Sequence, residues 1–193
     1  MSKKIKIGVS GNIGSFSEEA ANYYCAKNGI ADYELDYLIG VESVLAGLND
    51  GVIKKAVFPI ENSNGGIVLE AVYAMVKYNF EIEKIFEIDI KMNLMAKLGM
   101  KKENVKKIVS HQQALRQCRM YLKRIYPDVE LEEYSDTASA AKDLRDGILS
   151  EDSAVIAPKI CAKLYNLELL EEGIQDLKFN FTTFIVATKA RIN

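Results

Sequence analysis

The sequence predicts an α/β fold with largely parallel sheets. Three observations carry that prediction. Short apolar, strand-like runs alternate with segments of helical periodicity along the chain. Several of these runs break directly into glycine, serine, asparagine or threonine turns, and a helical pattern opens after the turn. The 193 residues, 49% of them hydrophobic, can bury a core as one large domain or as two small lobes.

Ile5 to Val9 reads as the first strand and breaks at Ser10-Gly11-Asn12-Ile13-Gly14. Ser15 and Glu18 then have capping-box spacing, and Ala20, Ala21, Tyr24 and Cys25 form one helical face. A strand, a glycine turn and a capped helix form a backbone that binds anions, because the first N–H groups of a helix are unpaired and its dipole is positive there. Most such turns only connect elements. Leu35 to Ile39 reads as a second strand and Ser43 to Leu48 as a short helix stopped by Asn49-Asp50-Gly51. Ala56 to Ile60 is a third strand that runs into Glu61-Asn62-Ser63-Asn64-Gly65-Gly66. Polar side chains at the carboxyl end of a buried strand stand where open α/β sheets bind ligands. The same loop reads equally as the cap of a helix from Ile67 to Tyr78.

Ile82 to Ala96 reads as one long strand, alternating at Ile88, Ile90, Met92 and Leu94. After Ile108-Val109, Ser110 and Gln113 repeat the capping-box spacing, and Leu115, Cys118, Leu122 and Ile125 supply a buried helix face. Gln113 and Gln117 lie four apart, close enough to act on one ligand. His111 reads first as a surface or capping residue. Val129 to Tyr134 is strand-like, Asp136-Thr137-Ala138-Ser139 opens a helix, Ala154 to Ala157 is a buried strand, and Pro158 suits the first turn of a following helix. The last apolar segment, Phe179 to Ala187, contains Asn180-Phe181-Thr182-Thr183-Phe184, a polar run in a strand that otherwise looks buried. From the pattern alone it reads as an edge strand with its threonines facing water.

Composition narrows the function. A net charge of −2, without charge blocks, points away from nucleic acid and anionic membranes. The start, Lys3-Lys4, leads into a run interrupted by Lys6 rather than a signal core, and no apolar stretch reaches membrane-spanning length. Three scattered cysteines, Cys25, Cys118 and Cys161, suggest buried free thiols in a reducing cytoplasm. A single histidine excludes a multi-histidine metal site. No internal repeat is visible. A ligand at these turns would be held by backbone N–H groups, hydroxyls and amides, which suits a small dicarboxylate.

At these turns the chain resembles the catalytic domain of prephenate dehydratase, and the resemblance covers nearly all of it. Gly11, Gly14, Ser15, Phe16 and Ser17 match the family's Gly-x-x-Gly-Ser/Thr-Phe-Ser element. Pro59-Ile60-Glu61-Asn62-Ser63, with Gly66, matches its Pro-Ile-Glu-Asn-Ser loop. Ser110-His111-Gln112-Gln113-Ala114-Leu115, followed by Gln117-Cys118, matches Ser-His-Pro-Gln-Ala-Leu-x-Gln-Cys. Thr137-Ala138 with Ala140-Ala141, and Asn180 to Phe184, match two further segments in the same order. Asp136 stands at a usual serine, Gln112 at a proline, and Thr183 at the arginine of Thr-Arg-Phe. A threonine cannot make that arginine's charge-assisted, two-pronged pair.

The resemblance implies two α/β lobes with a cleft between them, of the type II periplasmic-binding-protein architecture. Lobe 1 would span about 1–88 plus 180–193, and lobe 2 about 89–179. It implies decarboxylative dehydration of prephenate to phenylpyruvate in phenylalanine biosynthesis, without cofactor or metal, by a cytoplasmic homodimer. Thr182 would assist departure of the ring hydroxyl. Asn62, Ser110, Gln117 and Asn180 would position substrate. Glu61 would orient the network or, if burial made it a weaker acid, supply the proton. Ser15, Phe16, Ser17, Ser63, Gly66, His111, Thr137, Asn180, Thr183 and Phe184 would contact substrate. The four polar turns would converge on the cleft. The resemblance stops at the closing strand, so the family's ACT regulatory domain and a chorismate mutase domain are expected to be missing, and phenylalanine to have no effect. The lost arginine keeps a decarboxylase giving a non-aromatic product as an alternative. A silent small-anion sensor is another.

Overall fold

The computed structural model describes residues 4–190; Lys3 and the last residues of the expected first lobe, 191–193, lie outside the described residues. In chain order the elements are β1 (Ile5–Val9), α1 (Phe16–Lys27), β2 (Tyr33–Tyr37), α2 (Val41–Asn49), β3 (Lys55–Asn62), β4 (Gly66–Ile67), α3 (Leu69–Lys77), β5 (Phe80–Asp89), β6 (Asn93–Lys97), β7 (Lys107–His111), α4 (Gln112–Gln117), α5 (Arg119–Ile125), β8 (Glu130–Tyr134), α6 (Thr137–Arg145), β9 (Ser153–Ala157), α7 (Ile160–Leu164), β10 (Leu167–Glu171) and β11 (Phe181–Lys189). They form two compact units. One holds the chain to Asp89 and again from Phe181, and the other is Ile90–Asn180. Asp89 therefore goes with the first unit and Asn180 with the second.

The first unit is built on a sheet of order β2-β1-β3-β11-β5, with the short β4 paired to β3. β1 is parallel to β2 and β3, while β11 is antiparallel to both β3 and β5. Helix α2 buries Val41, Val44, Leu45 and Leu48, and α3 buries Ala71 and Ala74, against Phe58, Ile185 and Ala187. Each large apolar side chain so buried stabilises the fold by about 1.5–3 kcal/mol.

The second unit has the order β10-β6-β9-β7-β8. β7 is parallel to β8 and β9, and β6 is antiparallel to β9 and β10. Read from its other end, β8-β7-β9-β6-β10, this is the order of the first sheet. The chain has no sequence repeat, yet its topology repeats. In each sheet the strand antiparallel to both of its neighbours, β11 or β6, is the one the chain enters on crossing from one unit to the other. Helix α6 lies on this sheet through Ala138, Ala140, Ala141 and Leu144, packed on Met95, Val109, Val155 and Ala157. All three cysteines are buried and none forms a disulfide among the described residues, and burial pushes the Cys25 thiol up to about 11.

Several elements differ from the sequence reading. The long strand expected over Ile82–Ala96 is two strands, because the backbone between them leaves its ladder. Ile90 N–H donates to the Asn180 carbonyl (2.6 Å), Met92 N–H to Gln175 Oε1 (3.1 Å), and the Met92 carbonyl accepts from Ile174 N–H (2.8 Å). Ile90 and Met92 are both buried, so the apolar alternation runs through the break and hides it. The helix expected after Ser110 breaks at Cys118. Asp176 takes the N–H groups of Met120 and Tyr121, at 2.8 Å each, which caps a new helix there. β2 ends before Ile39, which is in the left-handed region (φ 63°), unusual for a β-branched residue. Pro158 precedes α7 instead of sitting in its first turn.

Candidate active site

In the first unit, β3 continues past its buried core to Glu61 and Asn62, turns over 63–65 and returns as β4. Gly66, with φ 81°, makes the return in a conformation that favours glycine. Asn62 organises this end of the sheet. Its Oδ1 accepts from Asn64 N–H (3.0 Å) and Gly65 N–H (2.7 Å). Its Nδ2 donates to the Phe181 carbonyl (3.1 Å) and to Thr182 Oγ1 (2.8 Å). Flipping the amide would set its NH2 group against two backbone N–H donors, so the network fixes its orientation. Thr182 Oγ1 is therefore an acceptor toward Asn62, and its own proton is directed elsewhere. Among the described residues no partner takes that proton, and Thr182 is 9% exposed. Ser63 completes the link: its Oγ accepts from Phe181 N–H (3.0 Å), and its N–H donates to the Phe181 carbonyl (2.8 Å).

Glu61 and Thr183 lie on the other face of the sheet, since successive strand residues alternate. They are cross-strand neighbours, and Thr183 Oγ1 donates to Glu87 Oε1 at 3.3 Å. Glu61 is exposed, so the burial on which a proton-donor role for it depended is not found. Phe184, expected to touch substrate, is 1% exposed and stacks on Phe86 at 6.1 Å, so it packs the strand that carries Thr182. At the start of α1, Ser15 accepts from Glu18 N–H (3.3 Å), as the capping box requires. The Glu18 carboxylate reaches back to Gly14 N–H, one residue beyond the position the motif predicts. Phe16 is half-buried, and the buried Ser17 places its Oγ 3.4 Å from that of Ser10.

In the second unit, Asn180 and Gln117 come together: Asn180 Nδ2 donates to Gln117 Oε1 at 2.9 Å, and Asn180 is fully buried. Ser110, also fully buried, donates its hydroxyl proton to the Ile156 carbonyl (2.6 Å) and so braces β7 against β9. His111, rather than Ser110, caps α4. Its Nδ1 accepts from Gln113 N–H (3.2 Å), which leaves the ring proton on Nε2. At α6 the cap is the Asp136 carboxylate, whose Oδ1 accepts from Ala138 and Ser139 N–H at 2.9 Å each. That helix end already holds an anion, which removes α6 as the open anion site its Thr137 start suggested. Thr137 itself is half-buried at the first helical position.

Sequence reasoning missed Ser10, Gln175 and Asp176. Asp176 also donates its N–H to the Gln117 carbonyl (2.8 Å), so it holds the residue that Asn180 binds. No local signal could have found it, because its partners stand more than fifty positions upstream. Among the described residues no group of three or more His, Cys, Asp or Glu side chains could hold a metal ion, and no helix is long and apolar enough to cross a membrane.

Two α/β units of matching strand order, with hydroxyl and amide side chains at the strand ends, define a type II periplasmic-binding-protein-like fold. The chain belongs to the prephenate dehydratase family, whose model matches residues 7–191. It is 31% identical over 188 residues to the prephenate dehydratase of Lactococcus lactis, covering 97% of this chain and 64% of that protein. It is 33% identical over 141 residues to arogenate dehydratase 1 of Petunia hybrida, covering 73% of this chain and 33% of that protein. The chain thus spans about a third to two-thirds of these curated relatives. The crystal structure of a prephenate dehydratase from Arthrobacter aurescens in complex with L-Phe superimposes with a TM-score of 0.86 at 26% identity, covering 97% of this chain and 61% of that one.

Proposed function

We propose that this chain is a carbon–oxygen lyase that converts prephenate to phenylpyruvate, carbon dioxide and water in phenylalanine biosynthesis. The observation that carries the reading is the fixed Asn62 amide, which makes Thr182 Oγ1 an acceptor on one side and so a donor on the other. The reaction needs one such donor. The electron pair of the bond to the departing carboxylate moves into the ring, and the ring hydroxyl leaves as water with the Thr182 proton, which solvent then restores. Aromatisation drives the step, so the protein's task is orientation and one aimed proton. Asn62 and Ser63 hold Thr182 in place. Gln117, presented by Asn180, offers an amide to the substrate's polar groups, and Ser110 keeps the strand before it in register. Ser15, Phe16 and Ser17 at α1, together with His111 and Thr137, are further candidate contacts.

No step calls for a cofactor. Three buried cysteines, none in a disulfide among the described residues, support a reducing, cytoplasmic setting, and a homodimer is part of this reading. Incubation with prephenate, read by phenylpyruvate absorbance, tests it; a non-aromatic product would place the chain with decarboxylating relatives instead. Thr182→Ala should lower kcat by about 10²–10³ and stability by only about 1 kcal/mol. Full turnover by that variant would remove Thr182 from the mechanism. Arogenate is the second substrate to assay. It carries an ammonium where prephenate has a keto group, and the petunia relative is named for it.

A further inference from the structure

Nothing local ends the helix at Cys118. Residues 112–126 contain neither glycine nor proline. Leu115, Cys118 and Leu122, 9%, 0% and 1% exposed, keep one buried face across the break, so the core does not require it either. In a continuous helix Tyr121 N–H would donate to the Gln117 carbonyl. Asp176 takes both ends of that bond. Its Oδ1 accepts from Tyr121 N–H, and its own N–H donates to the Gln117 carbonyl, each at 2.8 Å. Its Oδ2 accepts from Met120 N–H, also at 2.8 Å. The residues before it are anchored in turn. Ile174 and Gln175 are buried and engage both backbone groups of Met92, the first through its N–H (2.8 Å) and the second through its Oε1 (3.1 Å). A little further along the same segment, Asn180 Nδ2 donates to Gln117 Oε1 at 2.9 Å. One short stretch of chain therefore holds Gln117 twice, by its main chain through Asp176 and by its side chain through Asn180.

We propose that Asp176 is a positioning residue for the reaction: by dividing the helix at Cys118 it turns the end of α4 so that Gln117 meets Asn180 and presents its amide to substrate. The proposal rests on the reading above that gives Gln117 a substrate contact. The Asp176 carboxylate is spent on Met120 and Tyr121, so it acts through Gln117 rather than on the substrate. Two acceptor oxygens are needed there at once, in fixed places. Alanine supplies neither. Its Tyr121 N–H is then free to compete for the Gln117 carbonyl, which carries the helix on through Cys118 and rotates Gln117 away from Asn180. Asparagine keeps the shape and one acceptor, and serves well as a cap. Glutamate keeps the charge but moves both oxygens by one methylene, so it separates a need for charge from a need for place.

Steady-state phenylpyruvate formation, measured well below the melting temperature, tests this in the 193-residue chain. Asp176→Ala should lower kcat/KM for prephenate by about 100-fold, the scale of a misplaced positioning group. Asp176→Asn should recover most of that loss and Asp176→Glu little of it. In a Gln117→Ala background, Asp176→Ala should change kcat/KM by no more than about twofold, because both act through one amide. Its lowering of the melting temperature, about 2–4 °C for a lost cap, should persist there. A residue that only stabilises the fold would lower activity equally in both backgrounds, and that result overturns the proposal. So does parent-like kcat/KM in Asp176→Ala when Gln117→Ala is impaired. Parent-like kcat/KM in Gln117→Ala removes the substrate contact itself, and the proposal with it. A readout without turnover is the side-chain NH2 signals of Gln117 and Asn180 in a 15N–1H correlation spectrum. They should move in Asp176→Ala and return in Asp176→Asn; signals that stay in place overturn the proposal even in a chain that leaves prephenate unchanged, where the lyase reading would fail separately.

Discussion

Asn62→Asp is the sharpest test of the Thr182 geometry, because it changes two hydrogen-bonding atoms and almost no volume. The oxygen that accepts from Asn64 and Gly65 N–H is kept. The group that donates to the Phe181 carbonyl and to Thr182 Oγ1 becomes a second acceptor. Thr182 then satisfies the new carboxylate by donating its own proton, which withdraws it from the substrate. Losing one preorganised donor costs about 10²–10³ in kcat, or about 2.7–4 kcal/mol. The Phe181 carbonyl, facing a carboxylate, costs about 1–3 kcal/mol of stability, toward the lower end because the loop is partly exposed. Protonating the new carboxyl restores a donor toward Thr182 Oγ1, so the variant's activity should rise relative to the parent as pH falls through that group's titration. Steady-state phenylpyruvate formation across pH measures this. The effect should also vanish in a Thr182→Ala background, since the two changes act through one proton. Near-parent kcat at neutral pH, or full additivity of the two substitutions, would refute the argument.

Thr183→Arg restores the usual family residue between Glu61 and Glu87, which can pair with it, and should raise kcat/KM for prephenate; lower turnover would mean the site is adapted to threonine. Asp136→Ala removes the two-pronged cap of α6 and should cost about 0.5–2 kcal/mol, seen as a lower denaturation midpoint, while Asp136→Asn should recover most of it. Burial works to raise the Glu83 carboxyl, but the hydrogen bonds from Lys55 and Tyr24 outweigh it and hold the group below its ordinary 4.5. Its contribution to stability is therefore present above that value and is lost as pH falls below it. Glu83→Gln should flatten the acid side of the stability profile, and an unchanged profile would count against the pairing.

The strand ends were legible because they are local. A buried apolar run followed by Ser, Asn or Gly, with a carboxylate or amide three positions on, marks a strand, a turn and a capped helix whatever surrounds them. Ser15, Asn62 and Asp136 all occupy such turns. The motif order also fixed the family. What the sequence could not decide was where backbone groups leave one ladder for another. Ile90 and Met92 keep the strand's apolar alternation, and only their bonds to Asn180, Ile174 and Gln175, more than eighty positions away, end it. Cys118 continues a helical face, and only Asp176 divides the helix there. The direction of the Thr182 proton was equally out of reach. It depends on an amide 120 residues earlier in the chain, whose orientation two backbone N–H groups settle. Periodicity and capping are written in neighbouring residues, but a hydrogen bond's polarity depends on every partner its atoms meet, and those meet only once the chain has folded.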